Sequence, residues 1–307
     1  MAFPVTSGHP QYAGNFIPEL WAGKLIESFY DATVLAQISN TEYEGMIKAH
    51  GDTVHIRTTP TLTIRAYTKG MTLQVERPDS TPLELLIDKG KYWQAVSDDV
   101  DKVQSDVNLM DVWSKDAAEQ MKIEIDQDVL TNMLPGISAL NQGATAGAQT
   151  ASLNLGTTGA PLTVPKDGAG GPVSLTDLVV DLGTVLDEAN CPESDRYLVL
   201  PAKAVGLIKK SELKDASLSG DGTSILRNGR VGMIDRFTIY MSHNLYTASS
   251  KTNIIAGTKR GLTFASQLTN VETLRAESTF GTLIRGLNVY GYKVVKPEAI
   301  ATAVITF

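Results

Sequence analysis

Residues 108–136 read NLMDVWSKDAAEQMKIEIDQDVLTNMLPG. Within them Met110, Trp113, Ala117, Met121, Ile125 and Val129 recur at every third or fourth position, the period of one helix face. Asn108 stands where an N-cap belongs, with Asp111 three residues on. Acidic residues crowd the beginning, where the helix dipole favours them. Pro135-Gly136 ends the run, because proline cannot continue a helix and glycine suits its C-terminal turn. From Leu109 to Leu134 such a helix is about 39 Å long at ~1.5 Å per residue. The spacing predicts a helix over 108–134, with Met110, Trp113, Ala117, Met121 and Ile125 against a sheet.

Upstream, residues 46–92 read as β-structure. Val54, Ile56 and Thr58 alternate with His55 and Arg57; Met71, Leu73 and Val75 alternate with Thr72, Gln74 and Glu76. Period two predicts half-buried strands. Tyr67-Thr68-Lys69-Gly70 supplies the turn, and Pro60, Pro78 and Pro82 place the hairpin at an exposed edge. Residues 1–45 open with coil signals around Gly8, Pro10 and Gly14. A short helical pattern then runs through Leu20, Trp21, Leu25 and Phe29, too small to bury its own apolar face.

Downstream, residues 136–175 are rich in Gly, Ala, Thr and Ser and read as a loop region; 140–172 is expected to be the most mobile part, lacking apolar anchors. A helix is predicted over 176–189. A buried strand follows at Arg196–Pro201, running into a helix with Val205, Leu207 and Ile208. Further strands are predicted at Phe237–Met241, Leu283–Arg285 and Val289–Val295.

The 307 residues allow one large domain or two ordinary ones. The 31 threonines favour strands. A net charge of -7 argues against a dedicated nucleic-acid binder. The lone Cys191 excludes an internal disulfide framework and a thiolate-rich zinc site. No apolar run is long enough for a membrane span.

Little in the chain points to catalysis. His9, His50, His55 and His243 share no ligand spacing. Ser211-Glu212-Leu213-Lys214 matches the S-x-x-K pattern of serine acyl-enzymes, but neither KTG nor SDN accompanies it. Asp98, Asp99 and Asp101 lack the glycine and distal glutamate of a calcium loop. The glycines of 167–171 and 220–222 form no phosphate-binding fingerprint. No catalytic residue, cofactor or metal site is expected. An arm, a long hairpin and a long helix all bury poorly within one chain and make sense if neighbours supply the missing surface.

Together these segments resemble, in order and spacing, a tailed-bacteriophage major capsid (coat) protein of the Hong Kong 97-type fold. Phe16-Ile17-Pro18-Glu19-Leu20-Trp21 and Asn40–Gly45 resemble the coat family's N-terminal arm. Gly51–Ile56 resembles the entry to its extended loop, and Ile87-Asp88-Lys89 with Tyr92-Trp93 its return. The long helix resembles the spine helix. Arg196–Pro201, Asn228–Ile234 and Ile239–Ser242 resemble the axial domain; Arg285-Gly286-Leu287, Tyr290-Gly291 and Val294–Pro297 resemble the closing strands.

The resemblance implies an α+β chain with an arm at 1–45, an extended loop at 46–92, a peripheral domain at 93–135 and 271–292, and an axial domain at 136–270 and 293–307. It implies a subunit that self-assembles through hexamers and pentamers into an icosahedral shell around double-stranded DNA, without binding that DNA specifically. Assembly in the bacterial host cytoplasm would involve a scaffolding protein and a portal protein, with a decoration protein as an optional further partner and no membrane. No long, charged helical segment precedes the arm, so scaffolding is expected from a separate protein or from a cleaved segment. An encapsulin-like compartment, a tail or tube subunit, and a hydrolase using Ser211 and Lys214 are the rival readings.

Charge separates along the chain. Residues 46–92 hold seven basic and five acidic side chains, and 93–135 hold three and ten. Pairing between copies is therefore expected, with Arg57, Arg65, Lys69 and Arg77 as the hairpin's inter-subunit contacts. Some relatives crosslink covalently through a loop lysine, and Lys69 is the only lysine between Lys48 and Lys89. Attack needs a neutral amine and a carboxylate to take its proton. Neither is indicated for a lysine between Thr68 and Gly70, so non-covalent locking is expected.

Overall fold

The computed structural model describes residues 33–43, 53–60, 62–99, 109–165, 173–210, 232–276 and 280–307. Expectations for the arm helix, Asn108, His9, His50, Ser211, Lys214 and the glycines at 167–171 and 220–222 lie outside the described residues.

A one-turn helix α1 (Leu35–Ile38) precedes strand β1 (Thr53–Arg57); after a long loop come β2 (Pro82–Leu86) and β3 (Lys89–Asp98). Helix α2 (Leu109–Asn132) follows, then β4 (Leu162–Thr163), α3 (Leu175–Glu188), β5 (Arg196–Leu200) and α4 (Ala202–Lys210). The remainder is strands: β6 (Met233–Ile234), β7 (Phe237–Met241), β8 (Thr247–Ala248), β9 (Lys251–Thr258), β10 (Leu262–Arg275), β11 (Gly281–Val294) and β12 (Ile300–Thr306).

The largest sheet has the order β4-β12-β9-β5-β7-β6, with β8 beside β9. β5 runs parallel to β7 and antiparallel to β9. Its centre is covered on both faces, which is why Arg196–Leu200 and Ile254–Ala256 read as unbroken rather than alternating apolar runs. Leu198, Leu200, Ile254, Ala256, Ala301 and Ala303 pack with Leu178, Leu182, Val185 and Leu186 of α3 and with Ala204 and Ile208 of α4. The other face brings Tyr197, Val199, Ile255 and Ile300 against Ile125, Val129 and Leu130 of α2 and Met133 just after it, and against Ile38 of α1 and Val34 just before it. Ser174 caps α3, its hydroxyl accepting from the Thr176 N–H at 3.3 Å.

The Arg196 guanidinium is buried at the start of β5. It donates to Asp187 at 2.6 Å and to the Cys191 and Pro192 carbonyls at 2.9 Å each. Asp187 also accepts from Arg236 at 2.7 Å. Partial burial pushes the Asp187 carboxyl up, but the bonds from Arg236 and Arg196 outweigh it and hold it below the ordinary carboxylate range.

A second sheet, β10-β11-β3, is antiparallel throughout. One face lies on α2. Lys89 reaches Asp128 at 3.2 Å and the Tyr292 hydroxyl at 2.6 Å; Tyr290 donates to Asp128 at 3.0 Å, and Lys91 meets Glu124 at 3.3 Å. Burial opposes the Lys89 charge, yet the bonds to Tyr292 and Asp128 hold its pKa above the ordinary lysine value.

Three local expectations need correction. Helix α2 ends at Asn132, and only its C-terminal half is buried: Ile125 is, Met121 is half-buried, and Trp113 is 39% exposed. The described side chains of the N-terminal half are exposed or half-buried, so periodicity there does not mean a core within the same chain. The return strand of the hairpin is 82–86, and Met71, Leu73 and Val75 are exposed and outside any strand. Nothing among the described residues covers them, so alternation produces no half-buried ladder. The segment 136–165 is anchored rather than loose: Ala146, Leu155 and Val164 are buried in the first core. Scattered single apolar residues serve as anchors there, without a run or a period to mark them.

Candidate assembly surfaces

The loop between β1 and β2 is the chain's most exposed feature among the described residues. Its base is a ladder pairing Thr53 with Leu86 through to Arg57 with Pro82. Beyond the ladder the two limbs keep the same register through side chains. Thr63 bonds to Glu76 at 3.2 Å, Arg65 donates to Gln74 at 2.7 Å, and Ser80 donates to the Thr58 carbonyl at 2.5 Å. The tip turns at Lys69-Gly70, with Gly70 at φ +89°, and the Met71 N–H donates to the Thr68 carbonyl at 3.1 Å. Glycine takes that positive φ without steric cost.

Leu62, Ile64, Tyr67, Leu73 and Val75 project into solvent along this loop, Ile64 at 93% and Val75 at 92% exposure. Contiguous exposed apolar surface of this kind marks a site of interaction. The loop's root, by contrast, is fixed. Ile56, Leu85 and Ile87 form a small core with Ala265, joined by Val54, Leu83, Val289 and Val295. At Gly291 the backbone of β11 approaches that of Leu86 and Ile87 so closely that a Cβ would meet the Leu86 carbonyl carbon at 2.9 Å and the Ile87 Cα at 3.0 Å.

The sheet face away from α2 is a second open surface. Opposite neighbours share a face, so the pairs Tyr92 with Leu287, Gln94 with Arg285 and Val96 with Leu283 lie on it together. Tyr92 is 79% exposed, and a hollow of about 280 Å³ lies between Tyr92, Gln94, Arg285 and Leu287. Arg285 is held there by Glu272 at 2.7 Å. The third open surface is the N-terminal half of α2, which carries exposed Val112 and Trp113 among Asp111, Asp116 and Glu119.

Arg57, Arg65, Lys69 and Arg77 are all exposed. Arg57 ends β1, Lys69 sits on the tip, and Arg65 and Arg77 lie on opposite limbs, so the four are strung along the loop rather than gathered. None of them is in an ion pair among the described residues. Of the sequence-flagged acids, Asp99 pairs with Arg275, closing the end of the second sheet. His55 lies 3.6 Å from Glu84 on the loop's ladder. Sequence reasoning missed Asp126, which is wholly buried, and the Lys89–Asp128–Tyr290–Tyr292 cluster. Asp126 carried a signal, an acid set between Ile125 and Val129 on the helix face that enters the core.

Among the described residues no group of three His, Cys, Asp or Glu side chains is placed to hold a metal ion, and no helix is long and apolar enough to cross a membrane. No curated protein matches the sequence significantly. A chain of Mycobacterium phage Che8 superimposes with a TM-score of 0.75 at 28% identity, over 95% of this chain and 97% of that one. The capsid structure of cyanophage P-SCSP1u gives 0.71 at 16% identity, over 95% and 94%. The capsid of a native GTA particle gives 0.69 at 14% identity, over 96% and 97%. The family model described as phage capsid protein matches residues 82–303. The chain belongs to the phage capsid protein family, and its α+β architecture is the Hong Kong 97-type capsid fold.

Proposed function

We propose that this major capsid protein closes the shell of a tailed phage by laying its 58–81 loop over a neighbouring copy, within hexamers and pentamers. The second sheet with α2 serves as the peripheral domain, and the large sheet with α3 and α4 as the axial domain around the centres of those rings. The single observation that carries this is a loop with a packed root and a long, solvent-facing apolar stretch that nothing among the described residues covers. Arg57, Arg65, Lys69 and Arg77 set the loop's register against acidic surface such as the exposed half of α2. Exposed ion pairs add only ~0–1 kcal/mol each, so burial of Ile64, Leu73 and Val75 supplies most of the affinity and charge supplies the alignment.

The role is structural rather than catalytic. A scaffolding protein guides closure in the host cytoplasm, a portal occupies one vertex, a decoration protein is an optional further partner, and the packaged double-stranded DNA is enclosed without specific contacts. Locking is non-covalent, because Lys69 is exposed on its turn. The test is the triple variant Arg65→Glu, Lys69→Glu, Arg77→Glu. Its subunits should unfold at the wild-type temperature yet form no closed particles. Normal particle yield would overturn the assignment of these contacts.

A further inference from the structure

Two charged side chains are buried among the described residues, Arg196 and Asp126. Arg196 has its counter-ion in Asp187. Asp126 is wholly buried and is in no ion pair among the described residues. Its three partners are neutral donors. Oδ1 accepts from the N–H groups of Val34 at 3.2 Å and Leu35 at 2.9 Å, and Oδ2 accepts from the Asn244 amide at 2.8 Å.

None of the ionisable groups described nearby pairs with Asp126. On α2 itself, Asp128 is taken by Lys89 and Tyr290. From the turn after β7, His243 is exposed. From β5, Tyr197 presents a hydroxyl without a partner. Burial raises the Asp126 carboxyl above its ordinary value, opposed only by the bonds from Asn244, Val34 and Leu35.

The segment that Asp126 holds is small. Residues 33–40 contain a single helical turn, anchored by buried Val34 and Ile38 and by a short bridge in which the Asn40 N–H donates to the Leu262 carbonyl at 2.8 Å and the Phe264 N–H donates to the Asn40 carbonyl at 3.0 Å. A buried carboxylate without a cation is costly, and withdrawal of this turn would return it to water.

We propose that residues 33–40 form a releasable plug, latched by Asp126, which opens locally ahead of global unfolding and is closed by acid. The sign follows from linkage. A proton binds more tightly to the closed state, where the carboxyl is desolvated, than to the open state, where it meets water. Opening is therefore greatest with the carboxylate charged, at neutral pH and above, and falls as pH drops through the raised pKa. Release of the plug frees the buried Val34 and Ile38 and breaks the bridge between Asn40 and β10.

Hydrogen exchange of amides 34–40 in the full-length, unassembled chain tests this, with rates corrected for intrinsic pH dependence and with β5 as the global reference. In the wild type these amides should exchange by a local opening that diminishes from pH 7.5 to pH 4.5. Asp126→Asn should lower that opening about tenfold at neutral pH and remove its pH dependence. The Asn244 amide can turn over to accept from the new amide, so three bonds survive without the charge. Asp126→Ala should increase opening. The proposal fails if the Asn variant opens as the Ala variant does, if pH has no effect, or if residues 34–40 exchange only together with β5. None of these outcomes depends on whether shells form.

Discussion

Replacing Gly291 with alanine tests how the loop is aimed. Gly291 is buried on β11, where the chain connecting β2 to β3 crosses it. A Cβ there meets the Leu86 carbonyl and the Ile87 Cα, the latter at 3.0 Å, and both are backbone atoms with no rotamer to yield. Overpacking a core costs ~1–3 kcal/mol, and a backbone wall puts this site near the upper end, about 3 kcal/mol. At roughly 2 °C per kcal/mol for a chain of this size, the unfolding midpoint should fall by about 6 °C. Gly90→Ala is the control, because its nearest atoms would lie 3.9 and 4.0 Å away; it should stay within about 0.5 kcal/mol of wild type. Thermal unfolding of the two variants, followed by circular dichroism, gives the comparison. Equal midpoints for Gly291→Ala and Gly90→Ala would refute the claim that close backbone packing fixes the loop's root.

Further expectations concern the helix, the ion pairs and the lock. Leu130→Ala should cost ~2–5 kcal/mol in urea unfolding of the subunit, since Leu130 is fully buried. Trp113→Ala should cost under about 1 kcal/mol there, because that half of α2 is exposed, while lowering particle yield. Asp187 stabilises the fold above the ordinary carboxylate range and loses that contribution as pH falls through its depressed pKa. Asp187→Asn should therefore flatten the acid side of the stability profile measured by denaturant titration between pH 6 and 3. Mature particles boiled in SDS should run as one band near 33.0 kDa; a ladder of oligomers abolished by Lys69→Ala would contradict non-covalent locking.

The α3 helix and the strands at 196–200 and 237–241 were legible because each apolar pattern is matched by a covering layer. α3 turns Leu178, Leu182, Val185 and Leu186 onto the large sheet, and the helical period records it. The same logic misled where the covering surface lies outside the chain. Met71, Leu73 and Val75 alternate as a strand would, but in a single copy they face solvent. Trp113 and Ala117 keep helical spacing beyond the end of the core. The anchoring of 136–165 was illegible because isolated residues such as Ala146 and Leu155 do the packing. Arg57, Arg65, Lys69 and Arg77 could be placed on an exposed hairpin, whereas Asp126 needed the tertiary fold to bring Val34 and Asn244 to it from 92 and 118 residues away.

The most direct measurement is a cryo-electron microscopy reconstruction of particles assembled from this chain with its scaffold. The account predicts a closed icosahedral shell in which Ile64, Leu73 and Val75 of each copy are buried on a neighbour. Cylinders, persistent monomers, or a shell in which those three side chains remain in solvent would contradict it.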